Sequence, residues 1–207
     1  MKNLLPEKTV ERLSQCRRVL LNKLDQDKEF IFSHEIAKLL HLTPVQVRRD
    51  FMLMGYTGSP SKGYNIKRLI KAIGNTIDPE DCQYAAVIGM GNLGNAIAKY
   101  VERKRQYLKI VASFDIDDKK ISNCVTGVKC HHLDELPQVV KEMDISIAII
   151  TVPANAAYDV KELLVENGIK GILNFTPAPL NVPDNIYLEE FDFITSLEKV
   201  AYFVKEK

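Results

Sequence analysis

Through the first eighty residues the apolar positions recur at helical spacing. Over residues 7–24 (EKTVERLSQCRRVLLNKL), Val10, Leu13, Arg17, Leu20, Leu21 and Leu24 predict an amphipathic helix whose opposite face is charged. Ser33 is a suitable N-cap for a short helix, HEIAKLL, with Ile36, Leu39 and Leu40 as its apolar stripe and a tight turn at His41-Leu42. A second helix starts at once: Thr43 caps it, Pro44 takes the first helical position, where a missing N–H is harmless, and Gln46 follows as in a capping box. Val45, Phe51 and Met52 are expected to anchor this helix, leaving Gln46, Arg48 and Arg49 to project elsewhere. The segment GYTGSPSKGYN, with three glycines and a proline, predicts a hairpin tip carrying Lys62. Residues 65–77 predict a further helix, and DPEDCQ a domain boundary.

Beyond that boundary short apolar runs alternate with helical patterns. Strands are expected at Tyr84–Ile88, Leu108–Phe114, Gly127–Cys130, Ile145–Thr151, Ile169–Phe175 and Ile186–Glu189. Helices are expected over NAIAKYVERK, Leu136–Met143 and Ala154–Asn167. Strands separated by helices imply parallel βαβ units. The terminal segment Phe193–Val204 is apolar at helical spacing (Ile194, Leu197, Val200, Ala201, Val204), and either closes its own domain or packs on a second subunit.

Composition narrows the class. The chain of 207 residues is 46% apolar with a formal charge of +1, which excludes disorder and a collagen-like fibre. Its longest apolar stretch, Ile145–Pro153, falls short of the roughly 20 residues a bilayer crossing requires. The first residues lack an apolar core of signal-peptide length, so a cytoplasmic protein is expected. Four cysteines without a C-x-x-C fit reduced thiols. Charge is unevenly spread. Residues 33–73 hold seven basic and two acidic side chains, which suits a polyanion partner, although on charge alone a solvated basic face is the commoner source of such asymmetry.

Placement decides between those readings. Two short helices around a tight turn, with cationic groups early in the second, describe a helix-turn-helix. Arginine donates two hydrogen bonds to guanine or clamps phosphates, and glutamine bonds adenine bidentately, so Gln46, Arg48 and Arg49 are candidate DNA contacts, with Lys62 on a wing.

In the second half, Gly89-Met90-Gly91-Asn92-Leu93-Gly94 follows a strand and opens a helix, the context a dinucleotide-binding glycine loop requires. Its first glycine permits the turn, its second lets a pyrophosphate approach, and its third lets helix and strand pack. Asp115, 21 residues after Gly94 and ending the next strand, is the candidate acid for the adenosine ribose hydroxyls. Asp117 and Asp118 beside it favour NAD(H) over a 2′-phosphorylated cofactor. Thr151-Val152-Pro153 and Asn174-Phe175 lie at carboxyl ends of strands, where such sheets hold ligands, and are candidates for the nicotinamide end. Cys130-His131-His132 lacks further donors at ligand spacing, so no metal is expected. No Ser/His/Asp order or paired-carboxylate motif is present to suggest catalysis.

These parts together resemble the Rex family of bacterial redox-sensing transcriptional repressors over nearly the whole chain. The resemblance is carried by TPVQVRRD (43–50), KGYN (62–65), GMGNLG (89–94), GIKGILNF (168–175) and FDF (191–193). It implies a homodimer with exchanged C-terminal helices that binds a palindromic operator, is released from DNA by NADH, and sees NAD⁺ as a competitor. By position it implies Arg48 and Arg49 as the operator-contacting pair, Asp115 on the ribose, and Arg18, Tyr100 and Asp192 as a polar switch triad; Tyr64, which closes the wing after Lys62, is a further candidate DNA contact. Two departures stand out: the wing has Pro60 and Lys62 where the family pattern G-x-R-G-x-G-Y has an arginine, and Phe51-Met52-Leu53-Met54 replaces a more usual Leu-Ser-Tyr-Phe.

The expected architecture is α/β: a winged helix-turn-helix unit over residues 1–80, a Rossmann-like parallel-sheet domain over 81–190, and a terminal helix at a dimer interface over 191–207. The expected function is a non-enzymatic repressor reporting the NADH/NAD⁺ ratio. Its rivals are a small NAD-dependent oxidoreductase with a helical appendage and a dinucleotide-binding scaffold that engages protein rather than DNA.

Overall fold

The computed structural model describes residues 4–101, 107–122 and 127–205. It divides into two compact units, Met1–Pro79 and Glu80–Lys207. The first unit holds α1 (Glu7–Leu24), α2 (Ser33–Leu40), α3 (Pro44–Leu53) and α4 (Ile66–Ile77). A two-stranded antiparallel ribbon joins β1 (Phe30–Ile31) to β2 (Tyr64–Asn65). Their core gathers Leu13, Leu20, Ile31, Ile36, Val47, Phe51, Ile66, Leu69 and Ile73.

Several local expectations are corrected here. The buried line of α1 is Thr9, Leu13, Cys16 and Leu20, whereas Val10 and Leu21 stay exposed. Ser33 is the first residue of α2 rather than its cap. The Phe32 N–H is satisfied by Glu35 Oε2 at 2.9 Å, which leaves the Ser33 hydroxyl for Arg48. Thr43 does cap α3, accepting from the Gln46 N–H at 3.2 Å, with Pro44 at the first helical position. The inner face of α3 is Val47, Asp50 and Phe51, while Val45 and Met52 point to solvent. A carboxylate thus occupies a position that apolar periodicity assigned elsewhere. At the hairpin tip Ser59 and Gly63 exchange two backbone hydrogen bonds of 2.8 Å. Gly63 is obligatory: its φ is +74°, and a Cβ would lie 2.5 Å from the Ile31 carbonyl oxygen. The partner strand β1 was not foreseen, because two residues carry no period.

The second unit is a six-stranded parallel sheet ordered β5-β4-β3-β6-β7-β8. The strands are β3 (Gln83–Ile88), β4 (Leu108–Asp115), β5 (Cys130–His132), β6 (Ile145–Ile150), β7 (Gly171–Asn174) and β8 (Tyr187–Glu190). The helices are α5 (Asn92–Val101), α6 (Asp118–Ser122), α7 (Leu136–Glu142), α8 (Ala157–Glu166) and α9 (Phe193–Val204). Counted within the unit the order is 3-2-1-4-5-6, the doubly wound arrangement, whose direction reverses between β3 and β6. Strand alternation sends Ala86, Ile88, Ala148 and Ile150 to one apolar layer and Val87 and Ile149 to the other.

The third strand begins at Cys130 rather than Gly127, and α6 was not expected from its polar sequence DKKIS. The end of the helix expected beyond residue 101, and Cys124, fall outside the described residues. All of α9 is solvent-exposed, with Phe193, Ile194, Leu197, Val200 and Phe203 on its surface. Among the described residues no helix is long and apolar enough to cross a membrane.

Candidate functional site

Strand β3 delivers Gly89 to the point where the sheet reverses direction. Its φ of +96° is open to glycine, and a Cβ there would meet Val152 at 2.9 Å and the Thr151 backbone at 3.0 Å. Thr151 closes this corner from the end of β6, its hydroxyl donating to the carbonyls of Ile88 (3.1 Å) and Gly89 (2.7 Å). Gly94 is needed for packing, since a Cβ would lie 2.1 Å from the Gly89 oxygen. Gly91 differs: a Cβ there meets nothing within 4 Å, so its backbone faces open space at the start of α5. The loop is held by Asn95, whose side-chain amide donates to the carbonyls of Met90 (2.9 Å) and Gly91 (3.0 Å). Free N–H groups at a helix N-terminus behind an open glycine are what a pyrophosphate requires.

Asp115 ends β4 with 6% of its surface exposed. It accepts from the Met90 N–H at 2.7 Å, the Asp117 N–H at 3.0 Å and the Lys120 ammonium at 3.2 Å. Burial alone would raise its carboxyl, but the Asp117 and Met90 amides and the Lys120 ammonium outweigh it and hold it below the ordinary aspartate value. The acid therefore stays ionised, as an acceptor for ribose hydroxyls must.

Gly89, Gly91, Asp115, Thr151, Val152 and Pro153 line one cleft of about 450 Å³, whose wall also holds Lys120 and Leu133. Met90 and Asn92 border a neighbouring hollow with Asn95, Lys99, Lys119 and Lys120, and Leu93 is exposed on α5. Neither Asn174 nor Phe175 is brought into the cleft. Asn174 is 1% exposed and uses its side chain in its own turn, donating to the Ala178 carbonyl at 2.9 Å and accepting from the Thr176 N–H at 2.9 Å. Phe175 follows Leu173 to the other face of the sheet, lining an apolar groove with Ile97, Tyr100 and Ile110 and meeting Phe191 at 5.1 Å. Sequence reasoning missed Lys120 and Asn95, because neither belongs to the glycine pattern; an amide one residue after its last glycine was the available signal for Asn95.

In the first unit Arg48 and Arg49 are exposed on α3 and Gln46 is half-buried. Arg48 Nη1 donates to the Ser33 hydroxyl at 3.2 Å, which steadies it across the turn. Lys62 sits 5.8 Å from the Phe30 ring centroid, a cation–π distance. Tyr64 does not join these groups. Its ring is 8% exposed and packs edge-on against Phe51 at 4.9 Å, and burial raises its phenol.

Arg18 is exposed on α1 in the first unit; Tyr100 and Asp192 are exposed in the second. Asp192 caps α9, accepting from the N–H groups of Ile194 (2.8 Å) and Thr195 (3.2 Å). The Thr195 hydroxyl also donates to it, and these bonds hold its carboxyl below the usual value. His131 is buried, with Nδ1 3.2 Å from Glu135 Oε2. Among the described residues no group of three or more His, Cys, Asp or Glu side chains is placed to hold a metal.

The geometry defines a class: a helix-turn-helix unit joined to a doubly wound dinucleotide-binding unit. Residues 82–178 match the family described as a CoA binding domain, and residues 5–51 one described as a putative DNA-binding protein N-terminus. The redox-sensing transcriptional repressor Rex of Geobacillus kaustophilus (strain HTA426) is 39% identical over 201 residues, covering 97% of this chain and 94% of the relative. Among solved structures, RSP, a Rex-family repressor, in complex with β-NAD⁺ and operator DNA superposes with a TM-score of 0.88 at 29% identity, over 99% of this chain and 94% of the other. RSP with β-NADH gives 0.87 at 28%, over 99% and 96%. The chain belongs to the Rex family of redox-sensing transcriptional repressors.

Proposed function

We propose that this protein is a homodimeric, cytoplasmic repressor that binds operator DNA through α3 and the hairpin tip and is released when NADH fills the cleft of the second unit. The observation that carries this reading is the pairing of an open Gly91 with an ionised, buried Asp115 in one cleft. Gly91 leaves room for the pyrophosphate, and Asp115 accepts from the adenosine ribose. NADH and NAD⁺ act as effectors, and the chain does no chemistry on them. Arg48 and Arg49 contact DNA, Gln46 and Lys62 support them, and Arg18, Tyr100 and Asp192 connect effector to DNA.

The cleft also bears on the CoA description. Coenzyme A carries a phosphate on its adenosine ribose, which would confront the Asp115 carboxylate and be repelled by it. The test is a fluorescence-anisotropy titration with a duplex selected by the purified protein from a random pool. NADH should release the duplex, NAD⁺ should oppose NADH, and CoA should do neither. Release by CoA and not by NADH would overturn the reading.

A further inference from the structure

Arg12 and Asp50 form a device in the first unit that the exposed arginines do not explain. Asp50 follows Arg49 on α3 yet is only 4% exposed. Arg12 of α1 grips it with two parallel bonds, Nε to Oδ2 at 2.6 Å and Nη2 to Oδ1 at 2.7 Å. The same Nη2 donates to the hydroxyl of buried Thr9 at 3.1 Å, and that hydroxyl lies 3.5 Å from Asp50 Oδ1. The carboxylate raises the Arg12 guanidinium further still above its ordinary value.

The other buried residues of α3, Val47 and Phe51, sit in the apolar core of the unit, where burial is driven by a non-directional effect. A planar fork behaves differently, because two parallel N–H···O bonds resist rotation of the group they hold. Side-chain tips stand about 6 Å from a helix axis, so a roll of ~20° moves them roughly 2 Å, enough to break a bidentate contact to a base. Asp50 is also the one acidic residue of α3, and Arg12 neutralises it beside the pair that would meet a polyanion.

We propose that Arg12, through Asp50, sets the roll of α3 and so determines which base edges Arg48 and Arg49 meet. Arg12 is a positioning residue for sequence discrimination rather than for DNA affinity in general. The proposal rests on the DNA-binding reading above.

The test separates positioning from stability. Replacing a buried ion pair by apolar side chains of similar volume is often neutral or stabilising, so Arg12→Met/Asp50→Leu restores the packing without the fork. Affinity is measured for the selected duplex and for a scrambled one, alongside thermal stability and NADH affinity. The expected result is a loss of about tenfold or more on the selected duplex, in line with the worth of a bidentate base contact. The scrambled duplex and the NADH affinity should be unchanged, and the melting temperature should fall by no more than the loss of the buried Thr9 hydroxyl's two partners explains. Undiminished discrimination in the double variant would overturn the proposal. Should the double variant not fold, Arg12→Lys keeps the charge and loses the fork. Its discrimination should fall while NADH binding persists, and wild-type discrimination there would be equally fatal. Failure of the wild type to prefer any sequence would instead remove the DNA reading itself.

Discussion

Asp115 and Arg48 are single side chains whose surroundings make their removal informative. Asp115 is already held by two amides and Lys120, so Asp115→Ala removes both a ligand acceptor and a support of the Met90 loop. NADH affinity should fall by ~1–3 kcal/mol, the worth of a charged hydrogen bond, and the gap to NADPH should narrow. Calorimetry showing unchanged NADH affinity would exclude this placement of the ribose. Arg48→Ala should lose about 1–3 kcal/mol on a selected operator and relax preference at one base position. Lys62→Ala, at the tip of the hairpin, should weaken all sequences alike and lower the salt dependence, a contrast that anisotropy at several salt concentrations resolves.

Within the elements, the two later glycines of the loop answer to different constraints. Gly94→Ala forces a Cβ to within 2.1 Å of the Gly89 oxygen, so α5 must shift from β3; a stability loss of about 1–3 kcal/mol is expected together with loss of NADH binding. Gly91→Ala has room for its methyl and should fold with wild-type stability, yet lose NADH affinity because the methyl stands where the pyrophosphate approaches. Denaturant melts beside NADH titrations separate the two. Helix α1 offers a pH test. Burial pushes the Cys16 thiol from an ordinary 9.0 up to about 12, so between those values the unfolded chain releases a proton that the folded one keeps. The stabilisation is complete below pH 9 and is lost as pH rises towards 12, at up to about 1.4 kcal/mol per pH unit. The unfolding free energy of wild type, from urea titrations, should therefore fall more steeply with rising pH than that of Cys16→Ala; parallel curves would refute the assignment.

At the scale of the molecule, repression depends on linkage. Operator DNA must weaken NADH binding by the factor by which NADH weakens operator binding, typically 5- to 150-fold for couplings of about 1–3 kcal/mol. Asp192 is one of the three proposed transmitters, and its role as the cap of α9 changes how it is probed. Asp192→Ala removes cap and charge together, whereas Asp192→Ser keeps an N-cap oxygen and removes only the charge. Asp192→Ser should alter the coupling factor while NADH affinity without DNA stays near wild type; an unchanged factor would remove Asp192 from the switch.

The parallel sheet, the glycine loop, the Thr43-Pro44 start of α3 and the apolar α9 were legible in the sequence because each is a local rule. Period, cap and turn chemistry act over a few residues, and the chain states them directly. What remained hidden were the relations between distant segments that no motif or spacing encodes. Asp50 is only one acid among basic neighbours in the sequence, and its burial follows from Arg12, 38 residues away, closing on it. Tyr64 reads as a DNA contact until Phe51 packs against its ring. Asn174 and Phe175 follow a strand end as Thr151 does, yet only the strand order and side-chain alternation assign them to a turn and to the other face. Lys120 belongs to the site because β4 and α6 fold it onto Asp115. Burial and long-range pairing are properties of the packed chain, so tertiary structure alone selected which charged and aromatic side chains remain available to a ligand.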